Sequence, residues 1–234
     1  MIRFTGVTKS YGSTYALSDV TFQIEKGEFV FLIGPSGAGK STCLRLIIRD
    51  IAPTKGDVII DGTPLRSLSS GNTFRLRRKV GTVFQDFKLL SDRTVFENVA
   101  LALEIVGRKE EEIKKDVHDV LELVGLGNTA NLFPQQLSAG ELQRTSIARA
   151  IVGGPSILLA DEPTGNLDPA TSWEILQILS EINRMGTTIL MATHNAAVVN
   201  ELKKRTITLE DGTMVSDEAK GIYRLSKKHA IRKQ

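Results

Sequence analysis

Apolar and polar residues alternate with a period of two early in the chain, where Val20, Phe22 and Ile24 are separated by polar neighbours. That spacing predicts a strand with one buried face. A turn at Lys26-Gly27-Glu28 leads into the unbroken apolar run Phe29–Ile33, which reads as a strand covered on both sides. A further strand is expected around Val58–Ile60, with Asp61-Gly62 as its turn. The compact apolar runs Val80–Phe84, Ile157–Ala160 and Thr188–Ala192 have the character of buried parallel strands. Between Phe84 and Ile157 the period changes. Ile113, Val117, Val120, Leu121 and Val124 fall at i, i+4, i+7, i+8 and i+11, an apolar helical stripe closed by Gly125, while Glu110 to Lys115 and Asp119 face water. The pattern predicts an α/β protein: an antiparallel sheet near the N-terminus, a parallel core, and a mostly helical insertion over 87–152.

Composition narrows the class without naming a function. The 234 residues are 41% hydrophobic and 24% charged, which excludes wholesale disorder. One cysteine, Cys43, excludes an internal disulfide framework and fits a reducing compartment. The start MIRFTGVTKSYG has no apolar segment of the secretory kind, and Phe29–Ile33 is far short of a membrane span, so a soluble cytoplasmic chain is expected. The net charge of +3 is small for this length, and Lys227, Lys228, Arg232 and Lys233 crowd the end. Such a tail is either a solvated terminus or a contact for anionic lipid or RNA.

The chemistry is concentrated in three places. Gly34-Pro35-Ser36-Gly37-Ala38-Gly39-Lys40-Ser41 fits G-x-x-x-x-G-K-[ST] and lies between an apolar strand and an apolar-faced helix. Glycines allow backbone N–H groups to wrap a phosphate, the helix start favours the anion, Lys40 reaches the β- and γ-phosphates, and Ser41 suits Mg²⁺. Thr42 adds a phosphate contact, whereas Cys43 belongs with Leu44 and Ile47 on the packed side. The apolar run Ile157–Ala160 ends in Asp161-Glu162, with Asp161 suited to the Mg²⁺ shell and Glu162 to polarising the attacking water. In Leu137-Ser138-Ala139-Gly140-Glu141, Ser138 and Glu141 form an S-x-x-E capping box. That segment is either a well-capped helix start or, through Ser138 and the helix terminus, a second clamp for a γ-phosphate.

Taken together and in this order, the phosphate loop, LSAGE and ILLADE resemble the ATPase subunit of ATP-binding cassette (ABC) systems. The resemblance implies a P-loop NTPase core with a RecA-like parallel sheet, an antiparallel β subdomain and an α-helical signature subdomain. It places one ATPase domain over 1–220, with 1–86 and 153–220 as the core and antiparallel part, 87–152 as the helical subdomain, and 221–234 as a basic tail. It further implies a head-to-tail dimer with two ATPs at the interface, each held by one subunit's phosphate loop and by Ser138 and Gly140 of the other. Tyr11 matches the aromatic that stacks on adenine, Gln85 the glutamine sensing Mg²⁺ and water, Asp168 the loop crossing the interface, and His194 the switch histidine at the γ-phosphate. Gln85 as a surface amide and His194 as a helix cap are the plainer alternatives, and His118 and His229 read as surface residues.

There are departures from the family pattern. Ala139 stands where glycine is usual, Leu142 replaces a common glutamine, and Asn195 replaces an aspartate; none removes a reacting group. The stretch Phe84–Leu90, with Thr94-Val95 and Glu97–Ala100, resembles the cell-division ATPases of the family. That implies an FtsX-like integral membrane partner docking near Phe87, Leu89 and Leu90, a peripheral location on the cytoplasmic face of the bacterial membrane, and no nucleic acid. Local core is the alternative for those apolar residues. Lipoprotein release or macrolide export is the alternative role, and a soluble ATP-driven dimerisation switch is disfavoured for want of a coiled coil or a second cassette.

Overall fold

The computed structural model describes residues 1–221, and the basic segment with Lys227, Lys228, His229, Arg232 and Lys233 lies outside them. Two compact units divide the chain: Met1–Ser70 with the chain from Leu190 onward, and Gly71–Ile189.

In the first unit, β1 (Ile2–Tyr11) lies between β2 (Thr14–Ile24) and β4 (Lys55–Ile60), and β5 (Thr63–Pro64) completes the sheet order β2-β1-β4-β5. Both β1 pairings are antiparallel, with Phe4 opposite Phe22 on one side and Val58 on the other. The period-two pattern places Ile2, Phe4, Val20, Phe22 and Ile24 inward, and the Phe4 and Phe22 rings stack at 4.4 Å. The second sheet is built differently. β3 (Phe29–Ile33) is buried along its whole length and runs parallel to β9 (Arg205–Glu210), and β10 (Thr213–Glu218) closes antiparallel on β9. On the other side of β3 lies β8 (Thr188–Thr193), buried throughout. Between β3 and β4 runs α1 (Lys40–Ile47), and α7 (Ala196–Leu202) connects β8 to β9.

One side chain ties these strands together. The Arg205 guanidinium donates to both carboxylate oxygens of Asp217 at 2.8 Å, to Glu28 Oε2 at 2.9 Å and to the Gln23 carbonyl at 2.8 Å. Its partners come from β10, from the turn before β3 and from the end of β2. Only a planar fork serves acceptors in three directions.

In the second unit, β6 (Val80–Val83) runs parallel to β7 (Ile157–Asp161), with Val80 opposite Ile157. The expected strand thus stops one residue before Phe84. Ahead of it lies α2 (Ser70–Arg78), which the sequence reading did not foresee because Leu76 is its one buried apolar position. Helix α3 (Val95–Glu104) opens on a capping box in which Glu97 N–H donates to Thr94 Oγ1 and Thr94 N–H to Glu97 Oε2. The stripe Ile113, Val117, Leu121 and Val124 is buried along α4 (Glu110–Leu123), and Gly125 ends it at φ +71°. Helices α5 (Ala139–Ile151) and α6 (Pro169–Arg184) complete the unit. The buried side of α5 is Gln143, Thr145, Ser146, Ile147 and Ala148, while Leu142 and Ile151 are half-exposed. Among the described residues no helix is long and apolar enough to cross a membrane.

Replacing Arg205 by Lys keeps the charge and removes the fork. A loss of about 1–2 kcal/mol in unfolding free energy is expected. Chemical denaturation measures it, and an unchanged midpoint would show that charge alone suffices.

Candidate functional site

The phosphate loop connects β3 to α1. Gly39 stands at φ +102°, and a Cβ there would lie 2.6 Å from the Ala16 carbonyl oxygen and 2.6 Å from Leu17 Cδ2, so both conformation and space require glycine. Lys40 is 7% exposed, and its ammonium donates to the Gly34 carbonyl at 2.8 Å and the Pro35 carbonyl at 3.2 Å. The charge is therefore folded back over the loop it belongs to. Ser36, Gly37 and Ser41 are exposed, Pro35 and Thr42 half-buried, and Gly34 and Ala38 buried. Helix α1 has no side-chain cap and no acidic residue in its first turn, so no carboxylate of its own compensates its positive end. Cys43 and Ile47 are wholly buried, and burial raises the Cys43 thiol well above its ordinary pKa, so it stays neutral and packs.

In the same unit, Tyr11 at the end of β1 is 47% exposed, with the Lys9 ammonium 5.0 Å from its ring centre. His194 is exposed directly after β8. It is not the cap of α7: Asn195 is, its Oδ1 accepting from the N–H groups of Ala197 at 3.0 Å and Val198 at 3.4 Å.

The second unit carries the remaining candidates. Asp161 is the last residue of β7, and Glu162 follows, buried and left-handed at φ +48°. A non-glycine residue in that region costs about 1–2 kcal/mol, and here the turn is held by Gly165 N–H donating to the Glu162 carbonyl at 3.0 Å. A methyl group added at Gly165 would lie 3.6 Å from Gln85 Nε2. The structure thus brings Gln85 and the Glu162 turn together. At the start of α5, Ser138 N–H and Oγ donate to Glu141 Oε2 at 2.8 and 2.6 Å, so the S-x-x-E box is formed. These bonds hold the Glu141 carboxyl below its usual range. Asp168 caps α6, accepting from the Thr171 hydroxyl and from the Ala170 and Thr171 N–H groups; the Thr171 hydroxyl contributes most to lowering its pKa.

Sequence reasoning missed the residues that shape the loop after β6. Phe87 and Lys88 are consecutive left-handed residues, at φ +59° and +51°. The Arg149 guanidinium, from α5, donates to the Phe87 carbonyl at 2.7 Å and the Lys88 carbonyl at 2.6 Å. Fully buried Asn98 accepts from Leu90 N–H at 2.8 Å and donates to the carbonyls of Leu90, Arg93 and Thr94. Gln135 donates to the Ser91 carbonyl at 2.9 Å. The loop from 87 to 94 is irregular in dihedral angles yet closely bonded. Leu90 is 40% exposed, and Phe87 and Leu89 are half-buried. No local pattern announces Arg149, which lies 62 residues from Phe87.

Comparison with known proteins identifies the family. The profile described as ABC transporter matches residues 17–165. The Cell division ATP-binding protein FtsE of Bacillus subtilis is 53% identical over 95% of this chain and 98% of its own length. The FtsE of Mycobacterium tuberculosis is 50% identical over 95% and 98%. Among solved structures, a dimeric post-hydrolysis state of the ATP-binding cassette MJ0796 bound to ADP and Pi superposes with a TM-score of 0.86 at 39% identity, covering 95% of this chain and all of that one. The similarity to these relatives runs over nearly the full length of both chains. The chain belongs to the ABC transporter family of ATP-binding cassettes.

Proposed function

We propose that this chain is the ATP-hydrolysing subunit of a membrane-associated complex acting in bacterial cell division. The observation that carries the enzymatic part is the pair of preformed elements, Lys40 in its phosphate loop and Glu162 in its strained buried turn. What supports the division role is full-length similarity to cell-division relatives, together with the bonded loop that displays Leu90.

The roles follow from the chemistry of each group. Gly34, Ser36, Gly37, Ala38 and Gly39 supply backbone N–H groups to the phosphates, Pro35, which has no N–H, fixes the course of the loop against them, and Lys40 exchanges its loop carbonyls for β- and γ-phosphate oxygens. Thr42 adds a phosphate contact and Tyr11 offers a face to adenine. Ser41, Gln85 and Asp161 present a hydroxyl, an amide oxygen and a carboxylate, the hard oxygen donors that fit Mg²⁺. When bound, Mg²⁺ neutralises charge on the phosphates. Glu162 takes the proton of the attacking water, and His194 hydrogen-bonds the γ-phosphate. Ser138 and Gly140 meet the nucleotide of a second copy, and Asp168 lies where the two copies cross. ATP thereby closes a head-to-tail homodimer, and loss of the γ-phosphate reopens it. In this reading 1–86 and 153–220 form the catalytic core with its antiparallel part, and 87–152 the helical subdomain.

The partner is an FtsX-like integral membrane protein that inserts a short cytoplasmic helix near Phe87, Leu89 and Leu90, holds the ATPase at the cytoplasmic face of the membrane, and passes its motion to peptidoglycan hydrolases outside. The basic tail adds a contact to anionic lipid.

Glu162→Gln is expected to keep ATP binding, to lower kcat about a hundredfold or more, and to accumulate a closed dimer on gel filtration with Mg-ATP. Normal turnover would remove Glu162 from its role. Lys40→Ala is expected to weaken nucleotide binding by about tenfold or more, as titration with a fluorescent ATP analogue would report; unchanged affinity refutes the phosphate cradle. Gentle solubilisation of tagged protein is expected to capture an FtsX-like protein, with capture lost in Phe87→Ser/Leu90→Ser and weakened in Arg149→Met, which frees the loop. A lipoprotein-release or efflux permease in its place would overturn the division role and leave the ATP chemistry standing.

A further inference from the structure

The elements assigned above to the second copy's nucleotide and to the crossing of the two copies, Gly140 and Asp168, meet at one side chain that no motif contains. Thr171 lies in the first turn of α6. Its hydroxyl donates to Asp168 Oδ2 at 2.5 Å, and its N–H to Asp168 Oδ1 at 3.0 Å. Its methyl points the other way. A Cβ built on buried Gly140 would lie 2.6 Å from Thr171 Cγ2, against 4.0 Å from Thr171 Oγ1. The glycine hydrogen is therefore all that fits between α5 and this methyl group. Farther along the same two helices, Arg144 Nη1 donates to Glu174 Oε2 at 2.8 Å, so α5 and α6 are joined at two successive levels.

We propose that Thr171 is a positioning residue that ties the Asp168 loop to the Gly140 turn, so that the two surfaces offered to a second subunit are set as one body. The inference rests on the functional reading above. One face of a β-branched side chain fixes the aspartate and the other fixes the separation of the helices; χ1 of threonine is stiff, so neither face moves without the other. The Arg144–Glu174 pair sets no dimer-facing loop, and with Glu174 exposed it serves as the internal control.

The two faces can be cut separately. Thr171→Val keeps the methyl and removes the donor to Asp168. Thr171→Ser keeps the donor and removes the methyl. Each is expected to lower kcat about fivefold, with affinity of the isolated chain for ATP unchanged and the melting temperature within about 3 °C. Glu174→Gln is expected to stay within about twofold of the parent. Gly140→Ala should lower the melting temperature through the clash, and Gly140→Ala/Thr171→Ser should restore it, because the methyl group is moved across the gap instead of being doubled. Full turnover in Thr171→Val overturns the tie to Asp168, and a double variant no better than Gly140→Ala overturns the tie to Gly140. Should Thr171→Val fail to fold, Thr171→Ser and the double variant decide alone. A parent chain that neither hydrolyses ATP nor dimerises with it would overturn the function itself; an active parent beside unaffected variants overturns only the tie.

Discussion

A helix start must have its N–H groups satisfied by something, and in this chain the way each helix meets that demand separates structure from function. Helices α3, α5, α6 and α7 use a side chain of their own, from Thr94, Ser138, Asp168 and Asn195. Helix α4 lacks a side-chain cap but has Glu110, Glu111 and Glu112 in its first turn. Set against these helices, α1 alone has neither cap nor carboxylate, and it starts from a glycine locked between Ala16 and Leu17. In the function proposed above, its demand is met from outside, by the phosphates of the nucleotide. The surrounding strands hold this turn open: β3 is buried from end to end and pinned by β9, whose first residue, Arg205, gathers three other segments.

The same physics gives some capped helices a second use. A capping side chain is normally spent once its N–H groups are bonded. Asp168 accepts three bonds within α6, which holds its carboxylate in a single orientation and keeps it ionised. Ser138 is fixed in like manner by Glu141. Fixed orientation is what a surface needs if it is to meet another subunit with little ordering cost. Rigidity is thus created locally, by a few short bonds around Asp168 and Ser138, the groups proposed above to face a second copy.

How legible all this was depended on sequence distance. The phosphate loop, Asp161-Glu162 and the S-x-x-E box each need neighbouring residues to do one job, so the pattern is local and was readable. Strands β2, β3, β4, β6, β7 and β8 were readable too, since an alternating or unbroken apolar run has few other meanings, whereas β9 and β10, which mix polar and charged residues into their runs, were not foreseen. Helix α5 was not fully readable, because its buried side is formed by Gln143, Thr145 and Ser146 beside Ile147 and Ala148. Polar residues facing inward erase the apolar stripe on which the reading depends. Arg149 was invisible for a related reason: an arginine on a helix announces nothing until the chain returns to place Phe87 and Lys88 carbonyls before it. His194 could have been a cap by sequence, and only the geometry of Asn195 removed that alternative.

Strain and satisfaction are distributed unequally around the nucleotide chemistry. Glu162, Phe87 and Lys88 are non-glycine residues in left-handed conformations, each at a cost of about 1–2 kcal/mol, and each is held by bonds from elsewhere in its unit. Lys40 is the opposite case, its ammonium already donating to two carbonyls of its own loop. In the function proposed above, phosphate oxygens displace these carbonyls from a charged donor already at the site, so binding spends little on reorganisation. Bonds to charged acceptors are roughly twice as strong as bonds to neutral ones. The exchange therefore favours phosphate, and favours it more with each negative charge the nucleotide carries. On that reading the lysine itself contributes to the preference for a triphosphate over a diphosphate.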